Sequence, residues 1–277
     1  MVASSSFQTF VIGANQPVGQ FLSRSLSQQG LMYKSIALES RDKLPAMSAG
    51  RPFFVLTPSL LDVVDLEHAE FWLERAQEMD ACVILLSSMA VYRYRAGMAL
   101  AEDDEEFADS ELAQQVVALE AKARQNERHV ILRAGQSVSL QGEDFASQIL
   151  ARAREQQPLD MDMQRLFCPT PADDTADVIL AMMRQLVCSD ELFGTYHFSG
   201  VEAVSSFAFA EVLLAQAGQY EDFSEVKLGS QEGGMMPAVW TSESDNTRLF
   251  HTFGIQAKAW RQGVSRLLQK YYRIEEQ

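Results

Sequence analysis

The 277-residue chain carries 23 lysines and arginines against 38 aspartates and glutamates, a formal charge of −15 at pH 7. That balance excludes broad binding to nucleic acid or to an anionic membrane surface, since both need a basic face. Apolar residues at 47% and charged residues at 22% are ordinary for a globular protein long enough to bury a real core.

Three cysteines, Cys82, Cys168 and Cys188, are odd in number and far apart, which gives neither a disulfide framework nor a zinc spacing. They point to a reducing cytoplasm. The opening "MVASSSFQTF" lacks a basic n-region, and no later stretch holds enough consecutive apolar residues to cross a membrane, so a soluble protein is expected.

In chain order, "FQTFVIG" (7–13) reads as a buried strand. Val18, Phe21, Leu22 and Leu26 then fall at helical spacing, with Pro17 suited to the first turn and Gly30 to the C-terminal cap. "KSIALES" and "RPFFVLTP" give a second and a third strand, residues 60–79 a helix, and "ACVILLSS" a fourth, wholly apolar strand. The acidic "AEDDEEFADSE" is a loop or helix lead-in, followed by a helix over 111–125 and the strand "HVILRAG". The last third is less regular: helices over 145–155, through Met183, from Ser206 and over 258–271, with the turn "CPTPADD" and the strand "TYHFSG" between them. Strands alternating with helices predict an α/β fold, a Rossmann-like doubly wound parallel sheet with right-handed crossovers. No repeat or low-complexity linker appears, so any second domain must be interleaved.

The turn after the first strand carries the first candidate site. Gly13 and Gly19 keep the outer positions of a G-x-x-G-x-x-G pattern, with Asn15, Gln16 and Val18 between them. Glycines there let the backbone approach a pyrophosphate, and the helix N-terminus binds its charge. Gln16 puts a side chain where closest approach is needed, and Pro17 removes one N–H donor. A working cofactor turn and a purely structural strand–turn–helix both satisfy this pattern. Glu39, about 20 residues on, is placed to accept ribose hydroxyls, whereas Arg41 would favour a 2′-phosphate, so NAD and NADP both remain open. Ser87 and Ser88 end the fourth strand at the edge where open α/β sheets place ligands. Arg133 and Arg165 are candidate phosphate clamps, although structural pairing is the commoner fate of an arginine. The four histidines show no metal spacing, and His197, Met182, Met183 and Trp260 read as core. "GGMMPAVW" is either a lid or a loop plugging into the core.

Several segments together resemble a known family. "SSMAVY" resembles the serine segment of extended short-chain dehydrogenases/reductases. "HVILRAGQSVS", "FCPTPADDTADVI", "YHFSGVEAVSSFAFAEVLL" and "SDNTRLFHTFGIQAKAWRQGVSRLL" resemble, in the correct order, segments of the dTDP-4-dehydrorhamnose reductase (RmlD-like) and NAD-dependent epimerase branch. The resemblance implies a dinucleotide-binding part over 1–140, with 167–200 returning to it, and a smaller substrate-binding region made mainly of 141–166 and 201–277. The segment over 50–80 looks shorter than the family's usual connection.

The resemblance also implies a chemistry. A Ser or Thr, matched by Ser88, orients the substrate. A Tyr protonates the carbonyl oxygen as hydride arrives, and a Lys one helical turn later lowers the Tyr pKa and holds the nicotinamide ribose. With Glu120 matched to the family's Glu eight residues after the Tyr, the two positions fall on Leu112 and Val116. No tyrosine lies between Tyr94 and Tyr196, and Lys122 is the only lysine between Lys43 and Lys227. General acid–base help amounts to about 10²–10⁴ in rate, roughly 3–5 kcal/mol of barrier. The expectation is a nucleotide- or nucleotide-sugar-binding protein without standard reductase activity. It would use a weakened NAD or NADP site, no metal, and serve a binding or regulatory role, as the regulatory β subunit of methionine adenosyltransferase does for its partner enzyme. The alternative is an active reductase or epimerase with a relocated acid, drawn from Tyr92, Tyr94 or a carboxyl over 102–106. A homodimer packing the helices over 60–79 and 111–125 as a bundle is a further expectation.

Overall fold

The computed structural model describes residues 8–41, 44, 51–95, 97–142, 144–237 and 243–275. Phe7 of the first expected strand, and residues 238–240 of "GGMMPAVW", lie outside the described residues. Six parallel strands form the central sheet: β1 (Thr9–Ile12), β2 (Tyr33–Ile36), β3 (Phe53–Leu56), β4 (Cys82–Ser88), β5 (His129–Ala134) and β6 (Gly194–Phe198). Their order across the sheet is β6-β5-β4-β3-β1-β2. The chain therefore leaves β1 to one side for β2 and returns to its other side for β3. The carboxyl ends of β1 and β3 flank the point where the winding reverses, which is where open α/β sheets hold ligands.

Side-chain alternation decides the layers. Val11, Val55, Ile84 and Leu132 belong to one core, with Phe21, Leu22 and Leu26 of α1 (Pro17–Gln28) and Ile179 and Met183 of α5 (Ala172–Leu186). Phe10, Ile12, Phe54, Leu56, Val83 and Leu85 belong to the other, with Leu66, Trp72 and Leu73 of α2 (Val63–Glu78) and Leu119 of α3 (Glu111–Ala123). Covered on both faces, the inner strands read as continuous apolar runs.

The rest of the chain extends the first core. Phe145 of α4 (Phe145–Arg154), Phe167, Phe209 of α6 (Ser206–Ala217) and Trp260 of α7 (Trp260–Glu275) form a ring cluster, with Phe167 and Phe209 centroids 5.4 Å apart. Short parallel ladders join Gln136–Val138 to Pro169–Pro171 and Leu159–Met161 to Leu228–Ser230. Acids of α5 hold α7 and the residues just before it: Asp174 meets Lys258 at 2.9 Å and Arg266 at 2.7 Å, and Asp173 meets Lys270 at 3.0 Å. Among the described residues no helix is long and apolar enough to cross a membrane.

Candidate active site

A cleft of about 620 Å³ opens at the carboxyl edge of the sheet. The turn after β1 (Asn15, Gln16, Val18), the loop after β3 (Thr57–Leu61), the end of β4 (Ser87, Ser88), α3 (Leu112, Val116) and the loop after β5 (Ser137, Ser139, Asp144) all contribute to its wall. Hydroxyls and hydrocarbon dominate this lining. Among its described residues there is no tyrosine, lysine, arginine or histidine, and one carboxylate, Asp144. That carboxylate is engaged, accepting from Ser139 Oγ at 2.9 Å, the Leu140 amide at 3.0 Å and the Ser147 amide at 2.8 Å, the last as N-cap of α4.

The glycine turn is shaped by its own packing. At Gly13, with φ of +87°, an added Cβ would lie 2.6 Å from the Thr57 carbonyl oxygen; at Gly19 it would lie 2.5 Å from the Gly13 carbonyl oxygen. Thr57 Oγ1 donates to that same Gly13 oxygen at 2.9 Å. Both glycines thus sit beneath the cleft and let α1 press against β1 and β3, with no ligand needed to explain them. Gln16 adopts an extended backbone (φ −80°, ψ 151°), caps no amide with its side chain, and precedes Pro17 at the first helical position. Its amide donates to the Gly13 oxygen at 2.9 Å, and its carboxamide reaches across to Asp65 Oδ2 at 3.2 Å. The same Asp65 oxygen also accepts from the Ser59 amide at 2.9 Å.

Ser88 is half-buried on the cleft wall, where its Oγ accepts from the Ala90 amide at 3.0 Å. Its neighbour Ser87 turns the other way and donates to Glu120 Oε1 at 2.6 Å. Glu120 is fully buried. It accepts Arg133 Nε at 2.9 Å and Nη2 at 2.5 Å, and Arg124 Nη2 at 3.1 Å. Burial works against its charge, but Arg133, Ser87 and Arg124 together hold the carboxyl below its ordinary range. Arg133 donates its remaining edge to Tyr92 Oη and lies over the Tyr92 ring at 4.9 Å. Arg133 is therefore corrected from a candidate phosphate clamp to a buried structural cation, 1% exposed, whose whole guanidinium is engaged beneath the site.

The candidate replacement acids lie off the cleft as well. Burial pushes Tyr92 up to about 12, and its hydroxyl meets Ala101 O and His197 Nε2, each at 3.2 Å. His197 Nδ1 meets Leu100 O at 3.0 Å, and burial takes its pKa down to about 4, so the ring is neutral at pH 7. Tyr94 Oη accepts from the Leu166 amide at 2.9 Å. Glu102 accepts from the His197 amide at 2.8 Å, and burial raises its carboxyl.

Three further candidates are not among the lining residues. β2 ends at Ile36, so Glu39 is exposed in the turn beyond it and does not line the cleft. Arg41 lies over the Phe71 ring at 4.7 Å, outside the lining. Arg165 is exposed in a turn whose amides bind Asp162, away from the cleft. Thr57, Ser59, Ser110, Ser137 and Asp144 line the site without having been singled out. "TPS" after an apolar strand was the available signal for the first two. Among the described residues no group of three or more His, Cys, Asp or Glu is placed to hold a metal.

Comparison with known proteins agrees with this architecture. A dTDP-4-dehydrorhamnose reductase of Sinorhizobium fredii (strain NBRC 101917 / NGR234) is 27% identical over 156 residues, 53% of this chain and 52% of that protein. The chain spans about half the length of the curated relatives it matches. The crystal structure of a dTDP-4-dehydrorhamnose reductase from Clostridium acetobutylicum ATCC 824 superposes with a TM-score of 0.80 at 15% identity, covering 96% of this chain and 99% of that one. The Bacillus anthracis str. Ames enzyme, solved in complex with NADP, superposes with a TM-score of 0.78 at 16% identity over the same shares. At such identities these likenesses establish the fold. Residues 57–273 match the family described as the RmlD substrate binding domain, and the chain belongs to that family.

Proposed function

We propose that this chain is a nucleotide- or nucleotide-sugar-binding protein of the RmlD family that lacks the standard reductase activity and serves a binding or regulatory role in the cytoplasm. One observation carries the reading. Leu112 and Val116, at the positions where the resemblance expects a proton-donating Tyr and its Lys, both face the cleft, and no described lining residue replaces them. Hydrocarbon supplies no proton to a carbonyl oxygen and steadies no ribose. The reductase names of the relatives describe those proteins.

A nicotinamide dinucleotide, when bound in this family, supplies hydride. The residues present fit it poorly at the pyrophosphate end, where Gln16 fills the turn and Pro17 has no N–H. Ser88 remains as a hydroxyl able to hold a sugar or ribose oxygen. The relocated-acid alternative draws no support from Tyr92, Tyr94 or the carboxyls over 102–106, none of which is among the lining residues of the cleft. In the same proposal the substrate-binding region comprises mainly 141–166 and 201–277. A partner enzyme or second copy would be met near the exposed Leu61, Val63 and Val64 at the start of α2.

Titration of NADH and NADPH against intrinsic tryptophan fluorescence, followed by addition of keto-sugar nucleotides, tests the reading. Weak binding with no cofactor oxidation is expected. Oxidation of NADPH that disappears in Ser88→Ala would replace this reading with that of an active reductase.

A further inference from the structure

The Gln16–Asp65 contact bears on which ligands the cleft can take, and this inference rests on the cleft being a nucleotide site. We propose that Gln16 and Asp65 form a selectivity bar that turns the cofactor half of the cleft against diphosphate-bridged nucleotides and towards uncharged, nucleoside-like ligands. Three observations converge on it. Gln16 lines the cleft, and its carboxamide is anchored, from the residue before α1 to α2, by Asp65 Oδ2 at 3.2 Å. Asp65 itself is held by the Ser59 amide at 2.9 Å, so the bar has a fixed post. Two amides that a phosphate would use are unavailable: that of Gln16 donates to the Gly13 oxygen at 2.9 Å, and Pro17 has none.

Charge points the same way. A diphosphate bridge brings about two negative charges. Here it would displace the carboxamide and face the Asp65 carboxylate, with no lysine, arginine or histidine among the described lining to offset the repulsion. The remainder of this half, Pro58, Leu60, Leu61 and Ser59, suits a ring carrying hydroxyls.

Isothermal titration of the full chain with adenosine and with ADP-ribose separates the outcomes, using wild type, Gln16→Gly and Asp65→Asn. Wild type is expected to bind adenosine at least as tightly as ADP-ribose. Either variant should tighten ADP-ribose by about tenfold or more while leaving adenosine within about twofold. The two variants act independently, so misfolding of one, seen by circular dichroism, leaves the other decisive. Wild type preferring ADP-ribose by about tenfold, or an unchanged preference in both variants, overturns the bar while sparing the nucleotide-site reading. Absence of binding by either ligand to all three proteins overturns both.

Discussion

Two surfaces within one side-chain length of each other differ sharply. The cleft wall carries serines, threonines, leucines and valines, while behind it Glu120, Arg133, Tyr92 and His197 form a continuous polar network joined to the wall through Ser87. Among the described residues, the cleft lining carries one ionisable group, Asp144, whereas Glu120, Arg133, Tyr92 and His197 sit in the second surface, buried and engaged. Proximity to a cleft is therefore no measure of chemistry. A group already satisfied by partners in a low-dielectric interior is held in one protonation state and one orientation.

Removing the cation of the network should break that contrast most severely. Arg133→Met leaves Glu120 buried beside a partner it has lost, and chemical denaturation should register a loss of about 3–5 kcal/mol. Were Arg133 a ligand clamp instead, the variant would lose affinity and keep its stability. The next effect is the acid dependence of folding. Burial lowers His197 from 6.5 to about 4, so between those values the unfolded chain binds the extra proton. Stability fully present above the unfolded pKa is lost as pH falls towards the folded one, up to about 3 kcal/mol. Glu120, held below its ordinary range, extends the loss to lower pH. His197→Phe should flatten the stability profile across the upper part of that window, as denaturation at a series of pH values would read.

On the cleft wall the expected effects are smaller. Asp144→Ala removes the N-cap of α4 and the acceptor for the Ser139 and Leu140 loop, and should cost about 1–2 kcal/mol in thermal or denaturant melts. Ser88→Ala loses one bond, to the Ala90 amide, and should cost less than about 1 kcal/mol. A drop as large as that of Arg133→Met would erase the distinction between the two surfaces.

The sheet was legible because apolar runs and intervening helical periods are local properties. Val11 beside Phe10 and Ile12 already announces two covered faces. Partners are not local. Arg133 at a strand end looks like a free clamp until α3, thirteen residues earlier, is folded across the sheet and delivers Glu120 beneath it. The reach of Gln16 to Asp65 spans 49 residues of chain and depends on β3 lying beside β1. Glu39 reads as a strand-end carboxylate in the sequence, whereas β2 stops at Ile36 and leaves it on an exposed turn. The positions of Leu112 and Val116 were readable only through family resemblance, and geometry then set both on the cleft.

The most direct measurement is a crystal structure of the protein soaked with NADPH and a keto-sugar nucleotide. The account predicts a sugar carbonyl within reach of Ser88 alone, facing the hydrocarbon of Leu112 and Val116. A phenol or ammonium from Tyr92, Tyr94 or any lysine within about 3 Å of that oxygen would contradict it.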